Sequence, residues 1–124
     1  LRFFFIAIFG LIGVFSRYFV GSAFPFKGVN FPWSTLAINL LGCFLIGVLY
    51  VYAVEKNILS EDLRMGLMVG LLGGFTTFSA FGLESTLLIK SNLNLLAVTY
   101  VVTSSVFGIV FTFFGIAFAR ILTA

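Results

Sequence analysis

Four long apolar runs constrain this chain more than any other feature. They cover about residues 3–23, 33–54, 63–89 and 95–119, with short polar connections between them. A helix needs about 20 apolar residues to cross the hydrocarbon core of a bilayer, and each run is long enough. A soluble fold of 124 residues has too little interior to hide them: 61% of the chain is hydrophobic and 9% charged, whereas soluble domains carry roughly 25% charged residues. The sequence therefore predicts an all-α membrane protein, a single four-helix transmembrane domain over residues 1–124, embedded in a lipid bilayer. Arg2 followed by an apolar run also has the form of a secretory signal, with Gly21-Ser22-Ala23 as small residues for cleavage. Three more spans follow, so the first run reads more simply as a member of the bundle.

Composition also excludes chemistry. The chain has no histidine and one cysteine, Cys43, so an intrachain disulfide is impossible and the usual zinc, haem and triad constellations lack their ligands or bases. An enzyme is not expected. The seven basic residues are scattered and form no patch, which argues against a nucleic-acid partner.

The connections fix which charges share a side. Pro25, Lys27, Gly28 and Pro32 interrupt the chain after the first run, Glu55 to Asp62 separate the second and third, and Lys90, Ser91, Asn92 and Asn94 precede the fourth. Ser60 is a candidate N-cap, with Glu61 and Asp62 at the positive end of the helix it opens. Four spans put Arg2, Lys56, Arg64 and Arg120 on one side, and Lys27, Lys90 and the nearby Arg17 on the other. A difference of one barely sets an orientation. Either finer details choose one orientation, or copies insert both ways and pair as an antiparallel, dual-topology homodimer. A bundle this small also encloses no aqueous path, so one subunit is a poor pore.

The third run carries the polar break. Gly66, Gly70 and Gly74 form overlapping small-xxx-small patterns suited to close helix contact, and Gly10, Gly13, Gly42, Gly47, Gly108 and Gly115 add to the packing. Residues 73 to 81 read Gly-Gly-Phe-Thr-Thr-Phe-Ser-Ala-Phe. Two glycines and two β-branched threonines make a weak helix near the middle of the span, where lipid cannot satisfy freed backbone groups. Two readings stay open: a helix broken at mid-membrane whose carbonyls coordinate a cation, or a pair of glycines that only permits a close crossing. The spacing predicts Phe75, Phe78 and Phe81 on one helical face. That stripe is either core or lipid-facing, or it offers positive ring edges to a dehydrated anion, with Thr76, Thr77 and Ser79 adding hydroxyls. Asn39 is either interhelical glue or an N–H donor to an anion. Tyr100, Ser104 and Thr112 place hydroxyls at helical spacing on the fourth run, with Gly108 between them. Arg17 and Glu84 are ionisable residues within spans, functional candidates by default; the alternative is that they pair with each other or snorkel.

At these residues the sequence resembles the Fluc (CrcB) family of fluoride channels. The matching pieces are Gly13-Val-Phe-Ser-Arg17-Tyr, Trp33-Ser-Thr-Leu-Ala-Ile-Asn39, and Gly73 to Phe81 together with Glu84. The resemblance covers essentially the whole chain. It implies an antiparallel dimer with two pores, fluoride as the transported ion, and a location in the cell inner (plasma) membrane. Carried over by position, Phe78 and Phe81 are the facing phenylalanines and Asn39 the pore asparagine; Phe75 lies outside the pair. Thr35, Thr77 and Ser79 fall near the pore, Tyr100 and Ser104 on a polar track of the fourth helix, and Arg17 and Glu84 at the pore entrances. A structural sodium would be held by backbone carbonyls of Gly73 and Thr76 from each subunit, with no organic cofactor. Gly108 stands where some members carry a third track hydroxyl, and Ala80 replaces a frequent threonine. The rival is a small multidrug-resistance-type proton-coupled antiporter, also a four-helix dual-topology dimer. It needs a carboxylate in the first helix, and this first helix has none.

Overall fold

The helices stop where the apolar runs stop. In the computed structural model, which describes residues 1–124, α1 (Arg2–Ala23) ends just ahead of Pro25, whose ring cannot continue a helix. Helix α2 (Trp33–Tyr50) starts directly after Pro32, and its end widens into a π-helical turn, Val51–Glu55. Ser60 then caps the next helix by accepting the Leu63 N–H at 3.3 Å, so helix begins at Glu61, two acids earlier than the apolar run. The third span comprises α3 (Glu61–Met65), a π-helical stretch Gly66–Leu72, α4 (Gly73–Phe75) and α5 (Phe78–Lys90). The Thr76 and Thr77 backbones between α4 and α5 are extended, with φ/ψ of −80°/158° and −150°/121°. Asn92, at φ 61°, turns the chain into α6 (Asn94–Leu122). This helix continues past Ala119 to Leu122, and in its last turns the Nε of Arg120 donates to Glu55 across 3.1 Å.

No strand is present. Four helical stretches, Arg2–Ala23, Trp33–Glu55, Glu61–Lys90 and Asn94–Leu122, are long and apolar enough to cross a membrane. Large apolar side chains lie exposed along all of them, among them Phe19, Leu41, Leu83 and Phe113, as lipid-facing surfaces require.

Between helices in lipid, close packing replaces the hydrophobic drive, and here glycines provide it. Along the α1 crossing a Cβ at Gly70 would sit 2.6 Å from the Ile6 carbonyl oxygen, and one at Gly74 would sit 2.7 Å from that of Gly10. The α2 and α6 backbones meet in the same way at Gly47 and Gly115. Gly73 does not join a crossing, since nothing lies closer than 4.0 Å to the position of its missing Cβ. A small core of Leu36, Leu88, Ala97 and Tyr100 ties α2, α5 and α6 together. At the end of the molecule that holds both termini, Arg2 pairs with Glu61 at 3.0 Å and Asp62 at 3.4 Å, and Arg120 pairs with Glu55.

Candidate functional site

Asn39 sits in the middle of α2, opposite the two extended threonines. Its carboxamide pairs with the backbone of Thr77 in both directions: Nδ2 donates to the Thr77 carbonyl at 2.9 Å, and Oδ1 accepts the Thr77 N–H at 2.9 Å. In a continuous helix that N–H would go to the carbonyl of Gly73. The N–H of Ala80, which would serve the carbonyl of Thr76, goes instead to the Thr77 hydroxyl at 3.3 Å and caps α5. Thr76 keeps its helical bond to the Leu72 carbonyl and adds its own hydroxyl to the same oxygen, each at 2.9 Å. The second N–H of the Asn39 amide remains for another acceptor.

The interruption separates the three phenylalanines. A spacing of three places side chains on one face only while the helix is continuous, and two extended residues intervene after Phe75. Phe75 is therefore core, 7% exposed, whereas Phe78 is 82% exposed. The shared stripe expected from the spacing does not form. Phe81 packs on both neighbours, with ring centroids 5.5 Å from Phe78 and 5.1 Å from Tyr100.

One turn further along α5, Glu84 joins three spans. It accepts the Thr35 hydroxyl at 2.7 Å and the Tyr100 hydroxyl at 2.7 Å, one on each carboxylate oxygen. Thr35 and Tyr100 are both buried. Arg17 is half-buried on α1 and belongs to none of the ion pairs, so the structure does not bring Arg17 and Glu84 together as a pair. Ser79 is exposed on the first turn of α5, its Oγ 3.5 Å from the Thr77 hydroxyl. Ser104 lies one turn beyond Tyr100 on α6, and its hydroxyl is buried without a partner. Thr112 donates to the Gly108 carbonyl of its own helix at 3.0 Å and does not line the cavity described next.

A cavity of about 440 Å³ opens beside the interruption. Asn39, Gly73, Thr76, Thr77, Phe78, Phe81 and Ser104 line it, together with Gly42, Cys43, Ile46, Met68, Leu72 and Ser105. Tyr100 packs on the lining ring of Phe81 and carries the hydrogen bond to Glu84 and, through it, to Thr35. Sequence reasoning did not give Gly42 a place here. The available signal was its spacing of three from Asn39, which puts both residues on one face of α2. No cluster of His, Cys, Asp and Glu able to hold a metal is present, and the oxygens lining the cavity belong to hydroxyls, backbone carbonyls and the Asn39 carboxamide.

Residues 4–116 match the family model described as CrcB-like protein, Camphor Resistance (CrcB). A protein of Geotalea daltonii named fluoride-specific ion channel FluC is 42% identical over 117 residues, 94% of this chain and 94% of the relative. Proteins of the same name from Geobacter sulfurreducens and Rhizobium etli are 42% identical over 116 and 118 residues, covering 93% and 94% of this chain and 94% of each relative. With its four spans and a match over nearly its whole length, this multi-pass membrane protein belongs to the CrcB family.

Proposed function

We propose that the chain forms a fluoride channel that lets the ion leave the cytoplasm passively. The relatives it matches are named ion channels, not enzymes. The observation that carries the reading is the polar interruption at Thr76 and Thr77, inside a membrane-spanning stretch and opening on a cavity shared with Phe78, Phe81, Asn39 and Ser104. An anion that sheds water in a narrow passage needs replacement contacts. Here the donors are the free N–H of Asn39 and the hydroxyls of Ser104, Thr77 and Ser79, and the ring edges of Phe78 and Phe81 carry positive partial charge. Thr35, Tyr100 and Glu84 continue the polar path, and Arg17 and Glu84 mark its ends. Fluoride crosses into a cell as the neutral weak acid and is trapped as the anion, which the membrane potential drives out through a pore. No energy source is needed.

Two copies packed antiparallel in the inner membrane complete the pathways, with two pores per dimer. The Gly73 carbonyl has lost its helical donor to Asn39, and the Thr76 carbonyl has lost its own to the Thr77 hydroxyl. Gly73 is exposed on the protomer surface. Four such carbonyls from two copies suit a dehydrated monovalent cation, and sodium held there would neutralise the backbone dipoles at the dimer centre. The test is efflux from loaded liposomes with a potassium ionophore as counter-current, read with a fluoride electrode. Fast fluoride release and slow chloride release support the reading; equal rates overturn it.

A further inference from the structure

Two residues of α2 hold Thr76 and Thr77 from outside their own span. Asn39 supplies the backbone of Thr77 with both a donor and an acceptor at 2.9 Å, as an adjacent strand would. One turn along the same face, Gly42 leaves room for the side chain of Thr76. A Cβ at position 42 would fall inside the van der Waals envelope of Thr76 Cγ2, while Thr76 Cβ itself lies at an ordinary 3.6 Å. Thr76 cannot simply rotate its methyl away, because its hydroxyl is held on the Leu72 carbonyl at 2.9 Å and a β-branched side chain has few rotamers to choose from. Gly73 and Gly74, the residues of weakest helix propensity in the segment, remain helical. Local propensity alone would have placed the interruption at the glycines.

We infer that α2 is the template for the interruption in the third span: Asn39 and Gly42 select Thr76 and Thr77 as the extended residues, and so fix where the passage and its freed carbonyls lie. Gly42 is thereby a positioning residue, and Asn39 has a positioning role in addition to any contact with the ion. The templating does not depend on which ion passes. Only the flux arm of its test rests on the fluoride reading.

The steric half is testable as a cycle. Gly42→Ala adds the clashing Cβ at a helical position where alanine is otherwise the better helix former, so loss cannot be ascribed to a weakened α2. Thr76→Ser removes the methyl that would clash and keeps the hydroxyl on Leu72. Solid-state NMR of labelled protein in lipid reads the backbone of residue 76 and of Thr77 directly, since Cα and Cβ shifts separate extended from helical residues. Gly42→Ala is expected to displace these shifts and to cut fluoride flux about tenfold or more, a misplacement of roughly an ångström being enough for that. Gly42→Ala combined with Thr76→Ser is expected to restore both, a coupling of the kind found between touching residues. The polar half uses Asn39→Leu, which keeps bulk and removes both hydrogen bonds; the Thr77 shifts should move toward helical values. Unchanged extended shifts in both Gly42→Ala and Asn39→Leu would show that the third span encodes its own interruption and would overturn the inference. So would a double variant no better than Gly42→Ala alone. If every variant conducts no fluoride and neither does the unaltered protein, the shifts still decide the templating, and only the functional reading falls.

Discussion

The Tyr100 hydroxyl donates to Glu84 across 2.7 Å, joining the fourth span to the third through a tyrosine that is fully buried. Thr35 completes the bridge from the second span on the other carboxylate oxygen. Tyr100→Phe keeps the ring packed against Phe81 and removes one hydrogen bond. It is expected to lower stability by about 1 kcal/mol, seen as a lower unfolding midpoint in detergent, and to slow fluoride flux. An unchanged midpoint and unchanged flux would remove the bridge from both roles.

The phenylalanines separate packing from transport. Phe75→Ile alters a core side chain and should cost about 1 kcal/mol, with little direct effect on conduction. Phe78→Ile and Phe81→Ile remove ring edges from the cavity and should depress flux far more than the change at 75. Phe78→Ile should also leave the unfolding midpoint in place, because Phe78 is 82% exposed in the protomer. Comparable flux loss at all three positions would assign them a common packing role.

Asn39→Asp places lone pairs and negative charge where the amide donated. Like charges about 4 Å apart repel by about 4 kcal/mol at an intermediate effective dielectric, so flux should fall about a thousandfold. Asp also cannot donate to the Thr77 carbonyl while ionised. Fluoride flux retained at neutral pH, with the side chain shown to be ionised, would take position 39 out of the passage.

The glycine crossings make a stability prediction independent of transport. Gly115→Ala drives a Cβ into the Phe44 carbonyl, which is backbone and cannot move aside. A loss of about 1–3 kcal/mol is expected. Gly82→Ala enters open space within α5 and should be neutral or slightly stabilising, by no more than about 1 kcal/mol. Equal thermal shifts for the two would contradict the packing described.

The four spans are legible in the sequence because bilayer thickness acts on length and composition alone. The weakness of residues 73 to 77 is legible too, but composition offers no way to choose which of them leave the helix. That choice depends on Asn39 and Gly42, more than thirty positions away in the chain, and so it is invisible to local propensity. The same limit explains the phenylalanines: their spacing predicts one face, and two extended threonines rotate Phe78 away from Phe75. Thr35, Glu84 and Tyr100 each stand out singly as polar groups within spans. Their mutual hydrogen bonds belong to the packing of three helices, which a single sequence does not display. The π-helical turns at Val51–Glu55 and Gly66–Leu72 likewise leave no mark in residue type.

Selective conduction of fluoride is the central claim, and the reversal potential of purified protein in a planar bilayer tests it most directly. With fluoride at unequal concentrations on the two sides, chloride as the balancing anion and a common cation and pH, current should reverse at the fluoride equilibrium potential, and doubling chloride should not move it. A reversal potential that follows chloride, or transport that appears only with a proton gradient and a bulky organic cation, would contradict the account.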